Sequence, residues 1–233
     1  MEAPGLSIVR KALASTMKSL HEPIYQERLK VLSSLIAEQI REGDRVLDVG
    51  CGSGALGRAI WEHPRCPSHT VIEGLERVAR GNEPIKVHEY GGKVMPFPDS
   101  MYDIVIIADV LHHESDADRL MRECVRVAKR CVIVKDHQIA GPLARARISL
   151  MDWASNAPYG VPCLYRYLTP SEWDAFPGNF GLKVREELRS MRLYPSVWNT
   201  FFGGRLHYFG VLEVIEAVEP ETSQAGQNAR VRA

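Results

Sequence analysis

The apolar pattern of this chain predicts an α/β fold, a parallel sheet wrapped by helices. Five short apolar runs, at 45–49, 70–74, 86–89, 103–108 and 130–135, alternate with helical stretches. Strand–helix alternation of that kind is how a chain makes parallel neighbours. The central runs are continuous, as expected of strands covered on both faces. A chain of 233 residues with 45% hydrophobic and 25% charged residues has the composition of one ordinary globular domain. It is long enough to bury a full core without disulfide or metal staples.

The elements follow in order. Leu6, Val9, Leu13, Met17 and Leu20 stand at helical spacing, with Arg10, Lys11 and Lys18 elsewhere. They predict a short amphipathic helix that packs on the domain or lies over its site; membrane-surface binding and import into mitochondria are the alternatives. A second helix is expected from Pro23 to about Arg41, with Leu29, Leu32, Leu35, Ile36 and Ile40 inward and Glu42-Gly43-Asp44 as its stop. After the fourth strand, Ser115 and Asp118 read as a capping box for a helix whose inner face is Leu120, Met121, Cys124, Val125 and Ala128. The runs at 182–188 and 206–215 read as an antiparallel pair closing the sheet. This gives an N-terminal helical segment at 1–43 and a domain at 44–218 with a substrate-covering insertion at about 140–180. The polar tail at 219–233 is expected to be disordered.

Composition excludes several functions. Lys plus Arg and Asp plus Glu are 29 each, which argues against a dedicated nucleic-acid binder. The five cysteines contain no C-x-x-C pair, and an odd set of this kind fits reduced thiols in the cytoplasm. No uncharged stretch reaches the 18 or so residues of a membrane span. Arg10 and Lys11 interrupt the apolar run that a secretory signal needs.

The most informative stretch is Val46-Leu-Asp-Val-Gly-Cys-Gly-Ser-Gly-Ala-Leu-Gly57: strand, glycine-rich loop, helix start. Glycines permit a tight turn and let a ligand touch the backbone. Gly52-x-Gly54-x-x-Gly57 alone is a weak dinucleotide fingerprint. Asp48, at the end of the strand, shifts the reading. A carboxylate there faces an ammonium group well and would repel a pyrophosphate.

Asp48-x-Gly50-x-Gly52-x-Gly54 after an apolar strand resembles the cofactor loop of the class I S-adenosylmethionine-dependent methyltransferases. Three further segments resemble the same family in its order: Gly74-Leu-Glu76, then 94–105 with Met-Pro-Phe-Pro-Asp-Ser-Met-Tyr-Asp, then Ile107-Ala-Asp-Val-Leu-His-His113. The resemblance covers roughly residues 40–137. It implies a Rossmann-like methyltransferase fold with a mixed seven-stranded sheet, and S-adenosylmethionine as cofactor. It implies cofactor contacts from Asp48, Gly50, Cys51, Gly52, Gly54, Glu76, Gly92 and Asp109, with Glu76 rather than Glu73 on the ribose hydroxyls. The family's adenine-binding carboxylate has no counterpart in Tyr90-Gly91-Gly92. Adenine would then rest on the Gly92 backbone and on Met95 or Tyr90.

Methyl transfer needs position, orientation and, for a hydroxyl acceptor, a base. The candidates are Asp109, His112 and His113 after the fourth strand, and Asp136 and His137 after the fifth. Imidazole titrates near neutrality, so His113 and His137 lead and His112 follows. Each has a plain structural alternative: Asp109 could bond loop amides, one of His112 and His113 could pack under the cofactor or bond a carbonyl, and Asp136 and His137 could fix their loop. No metal is expected. Residues 153–209 hold 13 of the 18 aromatic side chains. Trp153, Tyr165 and Tyr167 are expected to contact a small, flat or lipophilic acceptor, methylated on oxygen or carbon. Tyr165 and Tyr167 would share a face of an extended segment. The Pro162-Cys163 pair reads as chance rather than a nucleophile. Two other functions are weighed: a non-catalytic relative serving as a partner subunit, and a nicotinamide-dependent oxidoreductase.

Overall fold

The computed structural model describes residues 22–156 and 162–215. The expected helix at 6–20 and tail at 219–233 lie outside them. Helix α1 covers residues 22–37. It is followed by β1 (Arg45–Val49), α2 (Ala55–Trp61), β2 (Val71–Glu76), β3 (Lys86–Glu89), β4 (Tyr102–Ala108), α3 (Ala117–Val127) and β5 (Ala128–His137). Then come α4 (Ala144–Asn156), α5 (Pro170–Ala175), β6 (Leu182–Leu188), α6 (Ser196–Phe202) and β7 (His207–Val214).

The strands form one seven-stranded sheet in the order β3-β2-β1-β4-β5-β7-β6. All pairs from β3 to β5 are parallel, and β7 runs antiparallel to both β5 and β6. The mixed sheet expected from sequence is therefore present. Its two faces account for the continuous apolar runs. Leu47, Val49, Val105, Ile107, Val132 and Val134 face α3 and Trp173 of α5. Val46, Ile72, Ile104, Ile106 and Ile133 face Leu29, Leu32 and Ile36 of α1 and Leu56 and Ile60 of α2. Each such side chain contributes roughly 1.5–3 kcal/mol on burial.

The strand order reverses between β1 and β4. Ligands of open α/β sheets bind in the crevice at such a point, beyond the carboxyl ends of the strands. The reversal sets the glycine loop after β1 beside the Asp109–His113 segment after β4.

Several boundaries differ from expectation. Helix α1 ends at residue 37 and closes through turns to Asp44, whose side chain accepts the Arg41 amide at 2.7 Å. Strand β2 runs on to Glu76. Strand β5 continues through Asp136 and His137, because β7 pairs with it up to His137–His207. These two residues are therefore ladder positions rather than loop ones. The cap of α3 is Asp116, not Ser115: the Asp116 carboxylate accepts the Arg119 amide at 3.1 Å, while the Ser115 carbonyl takes Arg166. Among the described residues no helix is long and apolar enough to cross a membrane.

Candidate active site

The loop after β1 needs glycine for different reasons at different positions. Gly50, Gly52 and Gly54 have φ of 69°, 56° and 72°. A Cβ on Gly50 would stand 2.6 Å from Val110 Cγ2, so the loops after β1 and β4 touch there. A Cβ on Gly52 would meet nothing nearer than an Arg80 nitrogen at 4.0 Å. Its open side faces a cavity of about 590 Å³. Asp48, Gly50, Cys51 and Gly52 line one end of that cavity. Tyr25 and Arg28 of α1, Asp109, His112, His113, His137, Tyr194, and Met151, Asp152 and Asn156 of α4 line the rest.

Asp48 lies at the mouth of the loop, 2% exposed, and its Oδ2 has no hydrogen-bond partner. Burial pushes its carboxyl up to about 7, against the pull of Arg28 and with Glu76 adding. A buried, unsatisfied carboxylate oxygen in a cavity wall is an open position for a cation. Glu76 is not in the cavity wall. Its two oxygens accept the Gly52 amide at 2.9 Å and the Arg77 amide at 2.8 Å, which ties the end of β2 to the glycine loop. Lone pairs remain on both oxygens. The thiol of Cys51 is pushed up to about 12 by burial and by Asp48, so it is no nucleophile. Gly54 caps α2 from behind the wall. Gly92 also lies outside the wall, beneath Arg77, and its carbonyl accepts Arg119.

Glu73 is occupied elsewhere. It takes Lys86 at 2.8 Å, Tyr102 at 3.0 Å, His88 at 3.1 Å and Arg45 at 3.3 Å. Burial opposes its charge, but these partners hold the carboxyl down at about 2.

Asp109 does not serve loop amides. Arg28 grips its Oδ2 at 2.7 and 3.1 Å, and Lys135 reaches its Oδ1 at 2.5 Å. Burial works against the ionised carboxyl, yet Lys135 and Arg28 hold it well below the usual range. It is ionised and committed, hence a poor base. Its φ of 57° is unusual for a non-glycine residue, and the two cations hold it there. Sequence reasoning missed both. Lys135 left a trace, a lone cation inside the apolar strand Val132-Ile-Val-Lys135, and it is fully buried. Arg28 left none, being 81 residues from its partner.

The three candidate imidazoles have different environments. His112 is buried, and its Nδ1 lies 2.6 Å from Asp136 Oδ1. Burial disfavours the charged ring, but Asp136, Asp152 and Asp109 raise it to about 10. A ring that keeps its proton at pH 7 is not a general base. His113 donates Nδ1–H to the Pro162 carbonyl at 3.2 Å, which makes Nε2 the acceptor, and the Asn156 amide meets it at a long 3.5 Å. Burial and the neighbouring His112 push its pKa down. His137 is pushed well down by burial and by Lys135, and its Nδ1 has no partner. Both rings are neutral at pH 7 and both line the cavity.

The three expected aromatic contacts separate. Trp153 is 53% exposed and lies outside the wall, although its neighbours Met151 and Asp152 are in it. A helix places one residue in three or four on a given face, and Trp153 falls on the outer face of α4. Tyr165 has φ of 54° and is 40% exposed, so it does not share a face with buried Tyr167. Tyr167 packs behind the wall, with its ring 5.6 Å from His112 and its hydroxyl donating to Asp152 at 2.6 Å. Asp152, Asn156 and Tyr194 are cavity residues that the sequence did not single out.

Residues 47–133 match a family described as a methyltransferase domain. That span covers β1 to β5 and both loops at the cavity. Over that span the chain is similar to the class I S-adenosylmethionine-dependent methyltransferases. A methyltransferase described as S-adenosylmethionine-dependent, from Aquifex aeolicus, superposes with a TM-score of 0.57 at 17% identity, over 87% of this chain and 98% of its own. That likeness concerns the fold. A ubiquinone/menaquinone biosynthesis C-methyltransferase of Bordetella avium is 27% identical over 57% of this chain and 58% of its own. The 27-O-demethylrifamycin SV methyltransferase of Amycolatopsis mediterranei is 31% identical over 39% of this chain and 36% of its own. The chain thus spans less than two thirds of the length of these relatives.

The cofactor of that family is S-adenosylmethionine, and the residues at and beside the cavity wall fit it. The unpartnered Asp48 oxygen suits the amino group, the open side of Gly52 gives backbone access, and Glu76 keeps lone pairs for the ribose hydroxyls. Of the expected cofactor set, the cavity wall leaves out Gly54, Glu76 and Gly92.

Proposed function

We propose that this chain transfers a methyl group from S-adenosylmethionine to a small organic acceptor through a hydroxyl oxygen or an acidified carbon. One observation carries the reading. A single cavity joins the glycine loop, with its unsatisfied Asp48 carboxylate, to two neutral imidazoles, His113 and His137. The cofactor, when bound, supplies an electrophilic methyl on a sulfonium. The protein residues do the rest. Asp48 and Glu76 hold the cofactor's polar ends. Arg28 and Lys135 keep Asp109 ionised and occupied, so its carboxylate does not act as the base. One neutral imidazole takes the acceptor's proton, with His137 and His113 as the candidates. Tyr25, Met151 and Tyr194 offer flat and apolar surface, which supports an aromatic or lipophilic acceptor. The relatives methylate carbon in one case and oxygen in the other by their descriptions, which is in keeping with both nucleophile types. None of the five cysteines is in a disulfide, and this supports a reducing compartment, the cytoplasm.

The test uses S-adenosylmethionine labelled on its methyl group, with a panel of phenols, hydroquinones and enolisable carbonyl compounds. Label should pass to at least one of them, and replacing the responsible histidine by Ala should cut turnover about 10²–10⁴-fold with cofactor affinity nearly unchanged. Binding of a nicotinamide cofactor in place of S-adenosylhomocysteine would sink the reading.

A further inference from the structure

We propose that His112 Nε2, His113 Nε2 and Asp152 Oδ1 form a binding site for one divalent first-row transition-metal ion at the acceptor end of the cavity. The three atoms converge without bonding one another. Asp152 Oδ1 stands 3.7 Å from His112 Nε2 and 3.6 Å from His113 Nε2. Those separations are too long for hydrogen bonds, yet the three donor atoms all lie within 4.8 Å of one another.

The outer partners are those a metal site needs. A ligating histidine generally donates its other ring N–H to a carboxylate or a backbone carbonyl, which fixes the ring and its tautomer. His112 has Asp136 at 2.6 Å on Nδ1, and His113 has the Pro162 carbonyl at 3.2 Å on Nδ1. Both Nε2 atoms are thereby turned toward Asp152. The carboxylate is itself fixed by the Tyr167 hydroxyl at 2.6 Å on Oδ2, while the Asn156 amide, 2.8 Å from Oδ1 and 3.5 Å from His113 Nε2, bridges two of the ligand atoms and turns aside when the ion enters.

Charge selects this set over its neighbour. Asp109, His112 and His137 also converge, but Asp109 already holds Arg28 and Lys135, and a third cation there would be repelled. Among the described residues no Lys or Arg forms an ion pair with Asp152 or Asp136. Two carboxylates around two imidazoles therefore favour a cation. Binding releases one proton from His112 to solvent. Two imidazoles and a carboxylate suit zinc, cobalt, iron or manganese rather than magnesium or calcium, which prefer all-oxygen sets. Three protein ligands leave coordination positions for an oxygen of the acceptor. That last role rests on the methyl-transfer reading, while ion binding does not. With the His113 lone pair committed to the ion, His137 is the imidazole left to take the acceptor's proton.

The experiment titrates the chelator-stripped full chain with Co(II), without cofactor, and reads the visible d–d absorption. One equivalent should bind, Zn(II) should displace it, and millimolar Mg(II) should not. His113→Ala and Asp152→Asn should weaken binding at least about 10–100-fold, and Asp136→Asn should weaken it by about tenfold or more while keeping all three ligands. Exposed His69→Asn should change nothing. If Asp152→Asn fails to fold, the partly exposed His113→Ala decides. Equal Co(II) affinity in wild type and His113→Ala, or preference for Mg(II), would overturn the site. Calorimetry with S-adenosylhomocysteine on the same samples separates the two proposals. Cobalt binding without S-adenosylhomocysteine binding keeps the metal site and removes the methyl-transfer reading, and the reverse result does the opposite.

Discussion

Asp48→Asn separates what this carboxylate does for the fold from what it does for the ligand. Burial pushes the Asp48 carboxyl up to about 7 in the folded chain. In the unfolded chain an aspartate titrates near about 3.9. The gap is about three decades in proton affinity, at about 1.4 kcal/mol each, so an ionised Asp48 costs the fold about 4 kcal/mol above neutrality. The sign follows from the raised value. The contribution to stability is fully present below about pH 4 and is lost as pH rises through about 7. Asn carries no such dependence. At pH 8 the variant without ligand should be the more stable protein, and between pH 8 and pH 5 its advantage should shrink by roughly 3 kcal/mol. Urea denaturation at several pH values measures this. Ligand binding should show the opposite preference. Only about a tenth of Asp48 is ionised at pH 6, so wild-type affinity for S-adenosylhomocysteine should rise about tenfold from pH 6 to pH 8. The variant should bind weakly and without that slope. Parallel stability curves for the two proteins, or undiminished affinity in the variant, would refute the placement of Asp48 as a buried carboxylate waiting for an ammonium group.

Other predictions follow from the same geometry. Glu76→Ala should weaken S-adenosylhomocysteine binding by about 1–3 kcal/mol in calorimetry, the scale of lost charge-assisted hydrogen bonds. Glu73→Gln should leave that binding nearly intact but lower the melting temperature at pH 7. Because Glu73 is held at about 2, its stabilising effect is present above the ordinary carboxylate range and fades as pH falls toward 2, so the difference in melting temperature should close in acid. Gly50→Ala drives a Cβ to 2.6 Å from Val110 at positive φ and should destabilise the fold by about 1–3 kcal/mol. Gly52→Ala shares the positive φ but meets no such neighbour, so it should destabilise the fold less than Gly50→Ala and show its larger effect in lost cofactor affinity. In pH–rate profiles, an imidazole base with a lowered pKa should put the acid limb below about 6.5. A limb near 10 would implicate His112 instead.

The glycine-loop end of the cavity was legible because its geometry is local. Asp48, Gly50 and Gly52 sit within five residues, and their placement follows from strand, turn and positive φ. The sheet was legible too, since strands covered on both faces must be apolar throughout, and the crossovers between them must be helical. The acceptor end was not. The same sequence showed Asp109, three histidines and a crowd of aromatics, with nothing to say which faced the cavity. Trp153 and Asp152 are adjacent, and only the rotation of α4 against the sheet sends one outward and the other into the wall. The charge states were likewise hidden. Arg28 and Lys135 make Asp109 an anchored anion, Asp136 and Asp152 make His112 a cation, and burial leaves His137 neutral. Each of these depends on groups brought together from distant parts of the chain, and in a buried site the identity of the nearest charge outweighs the intrinsic acidity of the side chain. Sequence periodicity determines which residues are inside. Which buried polar group meets which, and so which can bind a cation or accept a proton, is decided only when the loops after β1, β4 and β5 and the inner face of α4 close on one cavity.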